Sequence, residues 1–364
     1  ALREVEESDK ALAAAFERRL DAIKVIAEYR REHGIPVPAE PDGGERAQEL
    51  SAVITDAEKR PYYMSFFQGA LSASEKYHRR IMQGVRVAYT GVKGAFANIA
   101  ASRIFPDGEM VSYPDFAASY TAVERGECDC AVLPIENSYA GEVGQVIELM
   151  FSGKLYIGGV YSLRVKHNLL GLRGSTPSGV KKVVSHPQAL HQCAPYIQAH
   201  GYECIQETNT AVAAQRVAEG GDPTVAAIAS AETAKLYGLE VLDHDINESG
   251  DNTTRFAVFS RTPNIDEDHR DRSRFLLMFI LQNVPGALAS AINVISSYGF
   301  NMKVIRSRPI KEPAREYYFY VEAEGDEESE NGRRMISELR QHCRVLKVVG
   351  HYSDDIRLGA SSII

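Results

Sequence analysis

The chain has 364 residues, 44% of them apolar, and a formal net charge of −8. That length allows two or three domains of about 100–200 residues each, and without a clustered block of Lys or Arg it lacks the surface a nucleic acid needs. No apolar run reaches the roughly 18 residues of a membrane-spanning helix, the acidic start Ala1–Glu7 is unlike a signal peptide, and the five scattered cysteines suit reduced thiols in a cytoplasmic protein.

Residues 1–82 predict helices only. Leu2, Val5, Leu12, Phe16, Leu20, Ile23 and Ala27 recur every three or four residues, one face of a helix. Gly34 and Pro36 end it. A helix of about 30 residues is about 45 Å long, too long to bury its stripe against itself, so a partner subunit is expected in a homodimer or homotetramer. After a loop from Pro38 to Gly44, a second helix is predicted from about Glu45 to Lys59. A third begins near Pro61 and carries Tyr63, Phe66, Phe67, Leu71, Ser74, His78 and Ile81 on one side.

The pattern changes at Gly84. Val85–Tyr89 reads as a strand, followed by a glycine turn and a helix, and strand and helix signals alternate to about Arg261. Short apolar runs such as Ala131-Val132-Leu133, Val183-Val184 and Ala226–Ala229 predict buried strands of a parallel or mixed sheet. The span 84–261 forms one large α/β unit or two lobes with a cleft. Residues 262–273 are polar and read as a linker. Residues 274–352 then predict strand, helix, strand, strand, helix, strand, the βαββαβ order of a ferredoxin-like unit.

Three polar constellations stand out. Pro134-Ile135-Glu136-Asn137-Ser138 follows a buried strand, so its acceptor, amide and hydroxyl either line a ligand cleft at the strand ends or cap the next helix. Ser185-His186-Pro187-Gln188, with Gln192-Cys193 behind it, puts Ser185 before a helix start: an ordinary N-cap, or part of an anion site at the helix N-terminus. Asn252-Thr253-Thr254-Arg255-Phe256-Ala257-Val258-Phe259 is a polar turn feeding an apolar strand, with Thr254 and Arg255 at its entrance facing a cleft or merely opening the strand. His186 and His191, five residues apart, have no third ligand, and Cys128 and Cys130 have no matching pair. No metal and no cofactor is expected.

In their order and spacing these segments resemble the prephenate dehydratases over about residues 84–261. Pro134–Ser138 with Gly141, Ser185–Gln188 with Gln192-Cys193, Leu236–Leu239 and Thr254–Phe256 match that family's signatures, and the turn Gly91–Ala97 departs from its usual Ser or Thr near positions 95 and 97. The resemblance implies a two-lobed, periplasmic-binding-protein-like fold that takes prephenate to phenylpyruvate. It implies Thr254 as the residue easing departure of the ring hydroxyl, and Glu136, Asn137, Ser138, Ser185, Gln192, Thr208, Thr210 and Arg255 around the substrate.

Residues 274–352 resemble an ACT domain, through Asn283-Val284-Pro285-Gly286-Ala287-Leu288 and Ser307-Arg308-Pro309, with Arg306 where that family has Glu. This implies L-phenylalanine as an effector held by Asn283, Gly286, Ala287, Leu288, Ser307, Arg308 and Pro309; a purely structural dimerisation module is the alternative. Residues 1–82 resemble the all-helical chorismate mutase domain fused to such dehydratases. That implies chorismate bound by Arg3, Arg18, Arg30, Arg46, Ser74 and His78, whose guanidinium forks suit two carboxylates. Gly43 and Ala47 stand where that family has an Asp and a Glu, and His78 replaces its Gln. A protonated His78 would serve best, so mutase activity is expected to rise as pH falls toward about 6. The competing readings are a dehydratase with a degenerate, dimerising front unit, and a non-enzymatic ligand sensor.

Overall fold

The structure, a computed structural model, describes residues 1–36, 48–248, 250–263, 273–310, 317–353 and 356–359. The chain divides into two compact units, Ala1–Arg86 with Asp107–Glu109, and Val87–Pro106 with Met110–Ile364.

The first unit is built on α1 (Leu2–Glu32) and α2 (Arg60–Gln83). Pro61 lies in the first turn of α2, where its missing N–H costs nothing. Gly84 ends that helix at φ 80°, a conformation that suits glycine. The contacts of Arg19 with Ser74 and of Arg31 with the Ile81 carbonyl advance together along both helices, which therefore run in the same direction. The predicted helix from Glu45 to Lys59 is shorter than expected: residues 48–51 are helical, residues 52–59 are not, and residues 37–47 lie outside the described set. Asp56 accepts from the Glu58 N–H, a local turn bond that competes with the helix. Ala27 is the one buried residue of α1, while Leu2, Val5 and Leu12 are exposed.

The second unit carries three sheets. Strands β1 (Arg86–Thr90), β2 (Glu109–Tyr113), β3 (Cys130–Asn137), β4 (Gly141–Glu142) and β5 (Tyr156–Arg164) belong to the first lobe. Strands β6 (Asn168–Gly171), β7 (Lys182–Ser185), β8 (Glu203–Gln206), β9 (Val225–Ala229) and β10 (Glu240–Asp243) form the second, in the order β10-β6-β9-β7-β8. The chain then returns as β11 (Thr253–Ser260). It builds a C-terminal sheet from β12 (Ser273–Leu281), β13 (Asn301–Pro309), β14 (Tyr317–Glu324) and β15 (Cys343–Ser353), and ends on β16 (Ile356–Leu358). The first-lobe sheet runs β16-β5-β11-β3-β1-β2, with β4 on β3; the C-terminal sheet runs β13-β14-β12-β15. With helices Ala287–Ser297 and Glu330–His342 between its strands, the C-terminal unit has the βαββαβ order.

The C-terminal sheet and the first lobe share one hydrophobic core. Leu276, Met278, Tyr318 and Tyr320 pack with Leu133, Ile147, Met150 and Phe259; a fully buried side chain of this size contributes about 1.5–3 kcal/mol. The helix Gly144–Ser152, labelled α3, lies in this core. Lys347 of β15 donates to the Met150 carbonyl at its C-terminal end, where helices favour a cation. At Gly350 a side chain would meet the Ile157 carbonyl at 2.3 Å, so the approach of β15 to β5 requires glycine there. Among the described residues no helix is long and apolar enough to cross a membrane.

Candidate active site

Two crossings join the lobes, residues 165–167 after β5 and residues 244–248 and 250–252 before β11. They run side by side, the Val165 N–H donating to the Asn252 carbonyl at 2.7 Å. A cavity of about 500 Å³ opens beside them, a size that suits a small molecule. β1 and β3 are parallel and bring their carboxyl ends, Thr90 and Asn137, to its wall. β11 is antiparallel to β3, so its beginning lies there, with Thr254 opposite Asn137.

A chain of side-chain hydrogen bonds runs along the cavity. Asn137 Nδ2 donates to Thr254 Oγ1 at 2.9 Å and to Asn252 Oδ1 at 2.9 Å. Asn252 Nδ2 donates to Gln192 Oε1 at 3.0 Å, and His167 Nε2 lies 2.8 Å from the same oxygen. The amide of Asn137 is aimed by its own turn: Oδ1 accepts from the N–H groups of Tyr139 and Ala140 at 3.1 and 2.9 Å, which leaves Nδ2 toward Thr254. An acceptor at Gln192 Oε1 fixes the His167 proton on Nε2. Nδ1 is then a buried acceptor with no hydrogen-bond partner. Burial holds the His167 pKa below the ordinary imidazole value, against the opposing effect of the Gln192 bond, so the ring is neutral at neutral pH.

Among the described residues no Lys or Arg lines this cavity. The positive groups at its wall are helix N-termini. The helix Phe96–Ile104 begins at the wall without a side-chain cap, leaving its first N–H groups open. Thr208, Asn209 and Thr210 introduce a second helix there, Thr210–Gly220. Phe96, Phe116, Phe256, Val165 and Val212 make the remaining wall apolar.

The cavity therefore brings together Asn137, Gln192, Thr208, Thr210 and Thr254 of the sequence-derived set. It does not include the other four. Successive residues of a strand face opposite ways, so Glu136 and Arg255, next to Asn137 and Thr254, point to the far side of the sheet and pair with each other at 3.0 Å. Ser138 Oγ donates to the Asp251 carbonyl at 2.9 Å and accepts from the Thr253 N–H, pinning the loop. Ser185 is buried and donates to the Ile228 carbonyl at 2.6 Å, tying β7 to β9; the helix after it is capped by His186, not Ser185. His167 and Thr90 were not singled out from sequence; Asn252 stood in the polar turn before β11 and Phe96 in the turn Gly91–Ala97, neither with a role assigned. His167 sits on a crossing, where no periodic pattern marks it.

In the first unit, Arg19 rather than Arg18 meets Ser74: Arg19 Nε donates to Ser74 Oγ at 2.9 Å, while Arg18 is exposed. Arg19 lies three residues after Phe16 and four before Ile23, on the inward stripe; Arg18 is off it. Arg30 Nη1 is 3.5 Å from His78 Nε2. Burial first, and then the Arg30 charge, lower the His78 pKa, so its protonation begins below the ordinary imidazole range and the expected rise of activity toward pH 6 moves to lower pH. Arg3 is exposed near the start of α1. Arg46, Gly43 and Ala47 lie outside the described residues.

In the C-terminal sheet, the pairings of Ile280 with Tyr318 and of Pro309 with Tyr317 bring the turn after β12 and the end of β13 to one edge. Asn283, Gly286, Ser307 and Pro309 are exposed there, and Ala287 and Leu288 are half-buried. Arg308 faces the first lobe instead, its Nε 2.9 Å from Glu142.

The prephenate dehydratase family model matches residues 87–264. Arogenate dehydratase/prephenate dehydratase 2 of Arabidopsis thaliana, a chloroplastic protein, is 34% identical over 323 residues, 86% of this chain and 83% of that protein. The bifunctional chorismate mutase/prephenate dehydratase of Aquifex aeolicus is 29% identical over 369 residues, 96% of each chain. Among solved structures, GqqA, described as a novel type of quorum quenching acylase, superposes with a TM-score of 0.68 at 32% identity, covering 73% of this chain and 97% of that one. The prephenate dehydratase of Arthrobacter aurescens in complex with L-Phe superposes with a TM-score of 0.68 at 25% identity, covering 74% and 90%.

Proposed function

The chain belongs to the prephenate dehydratase family, and on that premise we propose that it converts prephenate to phenylpyruvate in the cavity between its two lobes. The observation that carries this reading is the hydrogen bond from Asn137 Nδ2 to Thr254 Oγ1. With its oxygen already accepting, the threonine hydroxyl directs its proton into the cavity, toward the ring hydroxyl of the substrate. The C–C bond to the ring carboxylate breaks, releasing CO2 as its electron pair enters the ring; the ring C–O bond breaks, the oxygen takes the Thr254 hydroxyl proton and leaves as water, and a proton from solvent restores the threonine. Hydroxide is a poor leaving group, and a positioned donor of this kind is worth about 10²–10⁴ in rate. The two substrate carboxylates are met by helix N-termini, Thr208 and amides rather than by arginines. The apolar wall favours release of neutral CO2 over the charged carboxylate. The test is incubation of the full chain with prephenate, following phenylpyruvate. The names of the plant relatives make arogenate, the amino counterpart, the competing substrate in that assay.

The first unit acts, in our reading, as a chorismate mutase that supplies prephenate. Supporting this are the Arg19–Ser74 and Arg30–His78 contacts on facing helices and the end-to-end similarity to the Aquifex protein. Positive charge near a breaking ether bond is what that rearrangement needs. Chorismate consumption by the full chain tests it; a chain that consumes prephenate but not chorismate has a front unit that only dimerises. The exposed apolar side chains of α1 and α2, among them Leu12, Ile26 and Phe66, support burial against a second copy, in a homodimer or homotetramer.

L-Phenylalanine is the proposed effector, on the C-terminal sheet edge that carries Asn283, Gly286 and Ser307. The L-Phe complex of the Arthrobacter relative supports this reading. Regulation requires the amino acid to favour one conformation of the chain over another.

A further inference from the structure

The far side of the catalytic strands carries a charge network. Arg255 Nη1 and Nη2 fork onto the two oxygens of Glu322 on β14, each at 3.1 Å, and Nη1 also reaches Glu136 at 3.0 Å. Glu322 is fully buried and accepts from Tyr320 and from Tyr352 as well. Arg306 of β13 contacts Glu136, and its Nη1 forms an ion pair with Glu142 at 2.8 Å. Arg308 pairs with the other oxygen of Glu142. The first lobe thus contributes Glu136, Glu142 and Arg255, one negative charge in excess. The C-terminal sheet contributes Glu322, Arg306 and Arg308, one positive charge in excess. The two halves neutralise each other only when docked.

Glu136 and Arg255 are the chain neighbours of Asn137 and Thr254, and the two pairs sit in consecutive registers of β3 and β11, just before an irregularity between Arg255 and Phe256. A strand that shifts on one face shifts on the other, because both faces hang on one backbone. We propose that Arg306, with Glu322, is a positioning residue for the dehydratase reaction. Held through Glu136 and Arg255, it keeps the Asn137–Thr254 pair in the geometry that presents the threonine hydroxyl. The charge reversal at position 306, where the sequence departs from the ACT pattern, is then matched by the two carboxylates it meets on the first lobe.

This inference rests on the dehydratase reading. Its test uses the full chain with Arg306→Lys, Arg306→Ala and Arg306→Glu, at a part-exposed side chain. The expected result is a graded fall in kcat for phenylpyruvate formation: small for Lys, about five- to tenfold for Ala and larger for Glu, which sets a third carboxylate against Glu136 and Glu142. KM should stay within about twofold, since no substrate contact is removed, and the thermal midpoint should not follow the same order. A kcat unchanged in Arg306→Ala and Arg306→Glu would overturn the inference while leaving the dehydratase reading intact. So would kcat falling only in step with the folded fraction. A wild-type chain that does not turn over prephenate would overturn both.

Discussion

Thr254 and Asn137 face each other across β11 and β3, and the amide of one donates to the hydroxyl of the other at 2.9 Å. The pair is buried, and the bond orients a weak acid rather than creating a strong one. In the proposed reaction its value lies in fixing where the hydroxyl proton points.

Removing that hydroxyl should remove most of the chemistry. Thr254→Val is nearly isosteric and is expected to lower kcat by about 10²–10⁴ with little change in stability. Thr254→Ser should keep a substantial part of the activity. Phenylpyruvate absorbance at saturating prephenate measures both. Wild-type turnover by the valine variant would take Thr254 out of the mechanism.

His167 makes a prediction about pH. Burial holds its pKa below the ordinary value, while in the unfolded chain it titrates near about 6.5. Above that pH both states are neutral and the full stability is present. As pH falls, the unfolded chain takes up the proton first, and stability is lost until the folded ring is protonated too. His186 is also lowered by burial and adds in the same direction. Thermal midpoints taken from pH 8 to pH 5 should therefore decline in the wild type and decline less in His167→Gln. Parallel curves would show that His167 does not govern this dependence.

The first unit offers a choice between adjacent arginines. Arg19→Ala should reduce chorismate turnover by about 10²-fold if a charged group at the reacting ether is lost, whereas Arg18→Ala, an exposed change, should stay within about twofold. Equal effects of the two substitutions would contradict the orientation of α1.

Phenylalanine should stabilise the state it binds. At 100 times its dissociation constant a ligand adds about 2.7 kcal/mol, enough to raise the thermal midpoint of the full chain by a few degrees. A Ser307→Trp change at the exposed sheet edge should abolish that rise in a chain that still folds. A midpoint that ignores millimolar phenylalanine in the wild type would refute the effector assignment.

Much of this architecture was legible because each local signal had one physical meaning. The runs Ala131–Leu133 and Ala226–Ala229 do form central strands, and the βαββαβ order of residues 273–353 follows from alternating patterns and turns. Within the site, contiguous residues of one motif do not share one face. Strand alternation already forbids Asn137 and Glu136, or Thr254 and Arg255, from facing one cleft, and the helical stripe already favours Arg19 over Arg18. His167 was out of reach for another reason, and Asn252, though it opens the third polar segment, had no role assigned. They lie on irregular crossings whose meeting depends on how the lobes join, and single-chain periodicity carries no such information. The end of the second predicted helix was missed because turn bonds of the Asp56 kind compete with helix propensity.

The most direct measurement is stoichiometric. Purified full chain is given prephenate, and CO2 and phenylpyruvate are measured together in the wild type and in Asn137→Ala. Equal amounts of both products from the wild type, with kcat reduced by about 10²-fold in the variant, is the predicted result. Neither product from a folded wild-type chain, or full activity without the Asn137 amide, would contradict the assignment of this cavity to the dehydration.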